Sequence, residues 1–165
     1  MRLLTRIIIP AAFVLLSMEA LPQAMTSTEK PDHKTAIWPP EVLLERAQHL
    51  RQLAAKGDGS ASETVDNFPH HYTMLAFRSR SGGGEMHENF ADLFYILEGH
   101  GALITGGEVA DAKTTAPGEV RGSAVKGGSR QEFKAGDVVH IPAGVPHQML
   151  VPDGRTVTYF VVKIG

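Results

Sequence analysis

The chain has 165 residues, of which 16 are Lys or Arg and 18 are Asp or Glu, so its formal net charge is −2. This length fits one domain, and the near-neutral charge excludes the basic patch with which proteins bind nucleic acid. Hydrophobic residues make up 42% of the chain, which is enough to build a core and excludes a disordered protein. There is no cysteine, so a disulfide scaffold and a cysteine nucleophile are excluded, and any metal must be held by His, Asp or Glu.

The N-terminal segment 1–24 has the pattern of a secretory signal peptide. Arg2 and Arg6 form a positively charged start, 7–18 is apolar, and small residues follow. The apolar run is shorter than the roughly 20 residues that a membrane-spanning helix needs. We therefore expect an exported protein, periplasmic or extracellular, that has no stable membrane anchor once the signal is removed. An uncleaved amphipathic anchor is the alternative.

The next segment, 25–66, is predicted to contain a polar arm and one helix at about 41–56. Pro39 and Pro40 precede this helix and Gly57 follows it, and these are the residue types that begin and end helices. Apolar residues recur along it with helical spacing, so one face is predicted to pack on the rest of the fold or on a second subunit in a homodimer. The residues of this stripe are Leu43, Ala47, Leu50, Leu53 and Ala54.

From residue 67 to 165 the chain has the pattern of short strands separated by glycine and proline turns, without an internal repeat. This pattern favours a single all-β sandwich or barrel domain. The stretch 106–129 is rich in glycine and is predicted to be a long loop, either a lid or disordered. Strands are predicted at 71–77, 92–97, 102–104, 138–141 and 156–163, with 92–97 and 102–104 forming a hairpin around the turn 98–101.

The sharpest pattern lies between Gly136 and His147, where the residues read G-x5-P-x-G-x2-H. It consists of a turn glycine, a strand, a Pro-Ala-Gly turn and a histidine. Proline fixes φ and glycine tolerates unusual backbone angles, so such a turn has one defined shape. The pattern therefore predicts that the imidazole of His147 is held in a set direction.

A second group of polar residues, Glu85, His87 and Asp92, precedes Gly99. Glu85 and His87 are two residues apart, so they share one face of a strand, and Asp92 begins the next strand. If the fold brings His147 to this group, two imidazoles and two carboxylates meet. Such a set suits Mn, Fe, Zn, Ni or Co, and two His with one carboxylate also form the facial triad of non-haem iron sites, which leaves positions open.

Residues 136–147 resemble the second motif of the cupin superfamily, G-x5-P-x-G-x2-H-x3-N, except that Val151 stands where Asn is usual. The first cupin motif is G-x5-H-x-H-x(3,4)-E-x6-G, and the upstream group has its spacing. Glu85 stands in the place of the first His and Asp92 in the place of the Glu, while Arg80 replaces the leading glycine.

The resemblance covers roughly residues 72–162. It implies that 67–165 form a small single-domain cupin, a jelly-roll barrel of two antiparallel sheets with a metal inside one mouth, preceded here by the short helix. It implies no particular reaction, because this fold hosts many.

The resemblance also implies the site residues. A divalent metal, of unknown identity and the only cofactor expected, would be held by His87, His147, Asp92 and Glu85. Glu85 has two other interpretations, as a hydrogen-bond acceptor for His87 or as a general base, which makes it the candidate catalytic residue. Arg78, at the end of a predicted strand, is a candidate for binding a carboxylate of the substrate.

Three functions are compatible with this pattern. The first is a metal-dependent enzyme that acts on a small oxygenated molecule, with dioxygenase, isomerase or lyase chemistry. The second is a non-catalytic module that binds a small molecule such as a sugar or an organic acid. The third is a dimeric structural protein whose site has decayed, which the departures at Glu85, Asp92 and Val151 keep open.

Overall fold

The structure, a computed structural model, describes residues 35–165, so the predicted signal peptide 1–24 lies outside the described residues. The described part contains one helix followed by twelve strands. The helix is α1 (Pro40–Lys56), and the strands are β1 (Ser60–Phe68), β2 (His71–Arg78), β3 (Gly84–His87), β4 (Ala91–Thr105), β5 (Glu108–Ala110), β6 (Lys113–Ala116), β7 (Glu119–Gly122), β8 (Ala124–Lys126), β9 (Ser129–Lys134), β10 (Val138–Ile141), β11 (His147–Leu150) and β12 (Val157–Ile164).

The strands form two antiparallel sheets that share the long strand β4. Sheet A has the order β1-β2-β12-β4-β10, and sheet B has the order β6-β7-β3-β11-β4-β9. A small separate ribbon pairs β5 with β8. This arrangement confirms the predicted all-β jelly roll with one short helix.

No helix within residues 35–165 is both long enough and apolar enough to cross a membrane.

The main core lies between the two sheets. Alternate residues of β4 and β12 point inward, because successive side chains of a strand lie on opposite faces. Phe94 and Ile96 of β4 thereby meet Tyr159 and Val161 of β12, and all four are buried. Met149 of β11 closes this core from sheet B.

The helix α1 covers the outer face of sheet A and forms a second core there. Its buried stripe packs on Leu75 and Phe77 of β2. Of the two partners predicted for this stripe, the barrel wall is therefore the one observed. Leu53 departs from the prediction, since it lies at the margin of the stripe and is 44% exposed. The buried residues of the helix are Leu43, Ala47, Leu50 and Ala54.

The predicted hairpin around residues 98–101 is wrong. Residues 92–97 and 102–104 belong to the single strand β4, which passes from sheet A into sheet B instead of turning back. Leu97 is an extra residue in the pairing with β12, and such a bulge bends a strand. Gly99 has φ 89°, and a side chain there would overlap the carbonyl of Thr156. Gly99 therefore allows a bend in β4 and a close contact with the backbone of Thr156, and not the turn of a hairpin.

The predicted long loop at 106–129 is also wrong. It contains the four short strands β5 to β8, and β7 pairs with β3 to extend sheet B. These strands have three or four residues each, so they are too short to show apolar alternation. The strand β1 was missed for a related reason, because this polar edge strand buries few of its side chains.

Truncating Leu50 tests the packing of the helix on sheet A. Leu50 is 1% exposed, so Leu50→Ala should leave a cavity and lower the free energy of unfolding by about 2–5 kcal/mol. Leu53 is the matched control, and Leu53→Ala should change the free energy of unfolding by less than about 0.5 kcal/mol. Urea unfolding followed by circular dichroism measures both, and equal losses would contradict the packing described.

Candidate metal centre

A cavity of about 680 Å³ opens between the inner faces of sheets A and B. Its walls come from β2, β4 and β12 on one side and from β3 and β7 on the other. His87, Asp92 and Glu85 lie in these walls, and charged residues from β7 and β12 join them. A concave space of this size that contains several polar groups is typical of a small-molecule site.

Pairing of β11 with β3 brings the two halves of the predicted site together. His147, the first residue of β11, lies directly opposite Glu85. The Pro-Ala-Gly turn before β11 is attached to the same strand, because the N–H of Gly144 donates a hydrogen bond of 2.8 Å to the carbonyl of His87. The turn therefore holds His147 in position relative to Glu85 and His87 of β3.

The two imidazoles are oriented by hydrogen bonds from their Nδ1 atoms. Nδ1 of His147 lies 3.0 Å from the carbonyl oxygen of Val145, and Nδ1 of His87 lies 2.8 Å from Oε2 of Glu119. Both partners accept hydrogen bonds, so each neutral ring carries its proton on Nδ1. The Nε2 atoms of both rings are buried and have no hydrogen-bond partner. Two lone pairs therefore lie near the same oxygen, Oδ2 of Asp92.

Burial keeps these rings neutral. His87 is 3% exposed and His147 is 1% exposed. Burial lowers the pKa of both imidazoles below its ordinary value, and for His87 the positive charge of Lys163 lowers the pKa further. A neutral imidazole with a free Nε2 is the form that binds a metal.

Two cations pair with the three carboxylates near the imidazoles. Lys163 Nζ lies 2.6 Å from Asp92 Oδ1. Arg121 forms a salt bridge with Glu85 and also donates to Glu119 Oε2 at 3.0 Å. Burial lowers the pKa of Lys163, whereas the neighbouring Asp92 raises it. These ion pairs compensate the three negative charges in part.

The remaining oxygen atoms lie at distances that suit a shared ion. His147 Nε2 is 3.4 Å from Glu85 Oε1 and 3.6 Å from Asp92 Oδ2, and His87 Nε2 is 3.5 Å from the same Oδ2. Donor atoms of Glu85, His87 and His147 all lie within 4.8 Å of one another. Two donors that bind one ion at about 2.1 Å are about 3.0–3.4 Å apart, so these residues fit a divalent metal. The two partnerless Nε2 atoms are independent support for this fit.

The structure brings together all four residues that the sequence analysis selected as metal ligands. It also shows three partners that the sequence analysis missed, Glu119, Arg121 and Lys163. Glu119 and Arg121 were hidden in the segment interpreted as a loop. Lys163 carried a usable signal, because it follows Tyr159 and Val161 at alternate positions of an otherwise apolar strand and must point inward with them.

Comparison with known proteins gives the fold its name. No model of a protein family matches the sequence, and no curated protein is detectably similar to it. Among solved structures, a mutant of salicylate 1,2-dioxygenase from Pseudoaminobacter salicylatoxidans in complex with gentisate aligns with a TM-score of 0.55 and 14% identity, over 77% of this chain and 33% of that chain. That dioxygenase is a cupin. The chain has the cupin fold.

Other solved structures resemble this cupin more loosely. The polyketide cyclase RemF from Streptomyces resistomycificus has 19% identity and a TM-score of 0.46, over 64% of this chain and 65% of that chain. KdgF from Halomonas sp. has 14% identity and a TM-score of 0.47, over 66% of this chain and 82% of that chain. The cupin described here matches only 33% of the dioxygenase chain and 65% of the cyclase chain, and the likeness concerns the fold alone.

Burial of the two imidazoles predicts a pH-dependent stability. Because their pKa is lowered on folding, the unfolded chain binds more protons than the folded protein below the ordinary imidazole pKa of about 6.5. Stability should therefore be complete above that pKa and fall as the pH decreases toward the lower pKa of the folded state. The charged groups that face the rings are Glu85, Asp92, Glu119, Arg121 and Lys163.

Thermal unfolding in EDTA between about pH 8 and pH 5 measures this effect, because the range brackets the ordinary imidazole pKa. The double variant His87→Gln/His147→Gln should show a shallower decrease of Tm than the unmodified protein. His100→Gln, which changes an exposed histidine, is the control and should leave the slope unchanged. An equal slope in the double variant would show that other groups cause the pH dependence.

Proposed function

We propose that this cupin is a metal-dependent enzyme that acts on a small oxygenated molecule. The observation that carries the proposal is the pair of buried Nε2 atoms, on His87 and His147, that lie near the same oxygen of Asp92 and have no hydrogen-bond partner. Leaving two buried polar atoms unpaired costs stability, and a bound metal would remove that cost. Glu85 completes the cluster as a hard oxygen donor.

The proposed ligands are His87, His147, Glu85 and, through Oδ2, Asp92. A bound divalent ion would supply Lewis acidity toward a carbonyl or carboxylate oxygen, or a site for dioxygen, so that dioxygenase, isomerase and lyase reactions are all open to this site. The protein supplies the orientation. Glu119 holds the ring of His87, and the carbonyl of Val145 holds that of His147.

The salt bridges of Asp92 and Glu85 leave a different oxygen atom of each carboxylate facing the imidazoles. Asp92 is 2% exposed, and its Oδ1 is held by Lys163, so only Oδ2 faces the imidazoles. Glu85 is less buried, and Arg121 holds its Oε2 while Oε1 faces His147. Because Arg121 also binds Glu119, one guanidinium positions both the proposed ligand and the carboxylate that orients His87. We therefore assign Glu85 as a ligand rather than as a free general base.

Elemental analysis of the purified protein tests the metal site. Near-stoichiometric Mn, Fe, Zn, Ni or Co is expected in the unmodified protein, with loss in His87→Ala and in His147→Ala. His140→Ala is the matched control, since His140 is exposed on β10 and does not line this cavity, and it should retain the metal. Iron would direct the search for activity to oxygen consumption, and zinc or manganese would direct it to isomerase and lyase assays.

Two outcomes would contradict the proposal. The first is a folded protein that retains none of the five metals after incubation with each of them. The second is stabilisation by a small molecule that is equally strong after chelation, since this outcome would favour a binding module that needs no metal.

The contact between Glu119 and His87 predicts a graded effect on metal affinity. Glu119→Ala removes the acceptor that fixes the ring, so the dissociation constant for zinc should rise about 10–100-fold while the ligands themselves remain. Competition with a chromophoric chelator measures it. Glu132→Ala, which changes an exposed glutamate of β9, is the control and should leave the dissociation constant for zinc unchanged. An unchanged dissociation constant in Glu119→Ala would refute the orienting role of Glu119.

A further inference from the structure

Arg78 differs from the other cations that line the cavity. Lys163 is neutralised by Asp92, and Arg121 is neutralised by Glu85 and Glu119. Arg78 forms no salt bridge with any Asp or Glu of residues 35–165. Its Nε donates a hydrogen bond of 3.1 Å to the hydroxyl of Tyr159. A guanidinium has five N–H donors, so those on the two terminal nitrogens are left for another partner.

The guanidinium of Arg78 is also confined by its surroundings. A side chain at Gly82 would come within 2.9 Å of Nη1, so the glycine leaves room for the guanidinium ahead of β3. The Tyr159 ring that binds Nε packs against Phe94, with the ring centroids 5.1 Å apart. The cation is therefore held at one place in the cavity wall rather than free to swing into solvent.

One carboxylate does line the same end of the cavity. Asp58 accepts hydrogen bonds from the backbone N and the Oγ of Ser60, at 3.0 and 2.9 Å. These bonds lower its pKa, and the Arg78 charge is the smallest of the effects that act on it. Asp58 is exposed, so solvent and salt screen its interaction with the guanidinium. It forms no salt bridge with Arg78 and compensates the charge of the guanidinium only weakly.

The inner face of sheet A connects Arg78 with the metal cluster. The backbone of Arg78 lies six residues beyond that of Tyr72 along β2, about 20 Å at the usual rise of a strand. Its side chain reaches back toward the cluster, to the hydroxyl of Tyr159 one row nearer, so the guanidinium is closer to the metal end than its backbone is. The cavity is thus polar at both ends and mainly apolar between them. Its inward rows are Tyr72, Lys163 and Asp92 at the metal end, then Met74, Val161 and Phe94, then Ala76, Tyr159 and Ile96, and finally Arg78 beside Val157.

We propose that the cavity takes a small organic acid whose carboxylate pairs with the guanidinium of Arg78 and whose other, oxygen-bearing end faces Glu85, His87 and His147. Arg78 is then the residue that determines specificity for an acid. The carboxylate contact stands on Arg78 alone, whereas the placement of the opposite end rests on the proposed function.

The chemistry of the two groups supports this assignment. The planar fork of a guanidinium matches the two oxygens of a carboxylate, and such charge-assisted pairs are about twice as strong as neutral hydrogen bonds. A single arginine suits one carboxylate, while a phosphate, with its larger charge, usually takes more cations. The apolar middle rows, with Phe94 and Val161, suit the carbon skeleton between the two ends of the ligand.

Calorimetric titration with a matched pair of ligands tests the proposal. The probes are 4-hydroxybenzoate and its neutral amide, 4-hydroxybenzamide, added to the zinc-loaded protein and to the EDTA-treated protein. The acid should bind at least about tenfold more tightly than the amide, which corresponds to ~1.4 kcal/mol. This preference should persist in EDTA if it arises from Arg78. Equal binding of acid and amide would overturn the proposal.

Variants locate the preference. Arg78→Gln should abolish the difference between acid and amide, whereas Arg80→Gln is the matched control and should preserve it. Arg80 is two residues away, exposed and outside the cavity, so it removes the same charge without touching the site. Arg78→Lys keeps the positive charge but lacks the planar guanidinium, so it should retain only part of the preference for the acid. It replaces Arg78→Gln as the test if that variant fails to fold. An unchanged preference in Arg78→Gln or Arg78→Lys, or an equal loss in Arg80→Gln, would overturn the role of Arg78.

The two proposals fail separately. A protein that holds no zinc but still prefers the acid through Arg78 would refute the metal centre and leave the carboxylate contact in place. A protein that holds zinc but binds acid and amide equally would refute only the carboxylate contact. Tighter binding of phenyl phosphate than of 4-hydroxybenzoate would overturn the assignment of the ligand as a carboxylic acid.

Discussion

The pairing of β11 with β3 is the constraint on which the site depends. It sets His147 directly opposite Glu85, and the hydrogen bond from Gly144 to the carbonyl of His87 fixes the connecting turn to the same strand. In a sheet, a shift of one residue turns every side chain to the opposite face. A slipped pairing would therefore move an imidazole out of the cavity, so the register of two short strands decides whether a metal site exists.

The arrangement of charge explains how this chain, which has the cupin fold, accommodates its departures from the usual motif. Glu85 replaces an imidazole with a carboxylate and so adds a negative charge beside Asp92. Buried charges are costly unless they are paired. Arg121 binds the carboxylate of Glu85, and Lys163 binds that of Asp92. Two cations that the family motif does not contain thus compensate the carboxylate that stands at the motif's Glu position, Asp92, and the additional carboxylate of Glu85.

The same pairing of charges distinguishes Arg78 from the other two cations of the cavity. The other two cations of the cavity, Lys163 and Arg121, form salt bridges with carboxylates, whereas Arg78 donates its hydrogen bond to the neutral hydroxyl of Tyr159. The cavity thus holds a cluster of metal-binding side chains and, apart from it, a guanidinium that forms no salt bridge with any Asp or Glu of residues 35–165. An anionic ligand with a polar far end would match both groups, so the proposed metal centre and the proposed acid site belong to one cavity.

Several features could be predicted from the sequence because they depend on local rules. Proline and glycine mark the ends of the helix at 40–56, and its apolar spacing identified the face that packs on sheet A. The spacing of the two motifs was enough to select Glu85, His87, Asp92 and His147. The prediction of the helix and its packed face is confirmed, because proline, glycine and side-chain periodicity restrict the backbone within a few residues, whatever the rest of the chain does. The metal ligands stay a prediction.

Other features were decided only by the tertiary structure. Gly99 looks like a hairpin turn in the sequence, but β4 continues through it. Its residues up to Gly99 pair with β12, and its residues beyond Gly99 pair with β11 along one edge and with β9 along the other. The interactions of Arg121, Lys163 and Arg78 join strands that are distant in the chain, so no local pattern encodes them. The sequence by itself determined which residue types can bind a metal and that the chain builds a jelly roll. Long-range strand pairing determined which charges face one another, because electrostatic contacts follow distance in space and not separation along the chain.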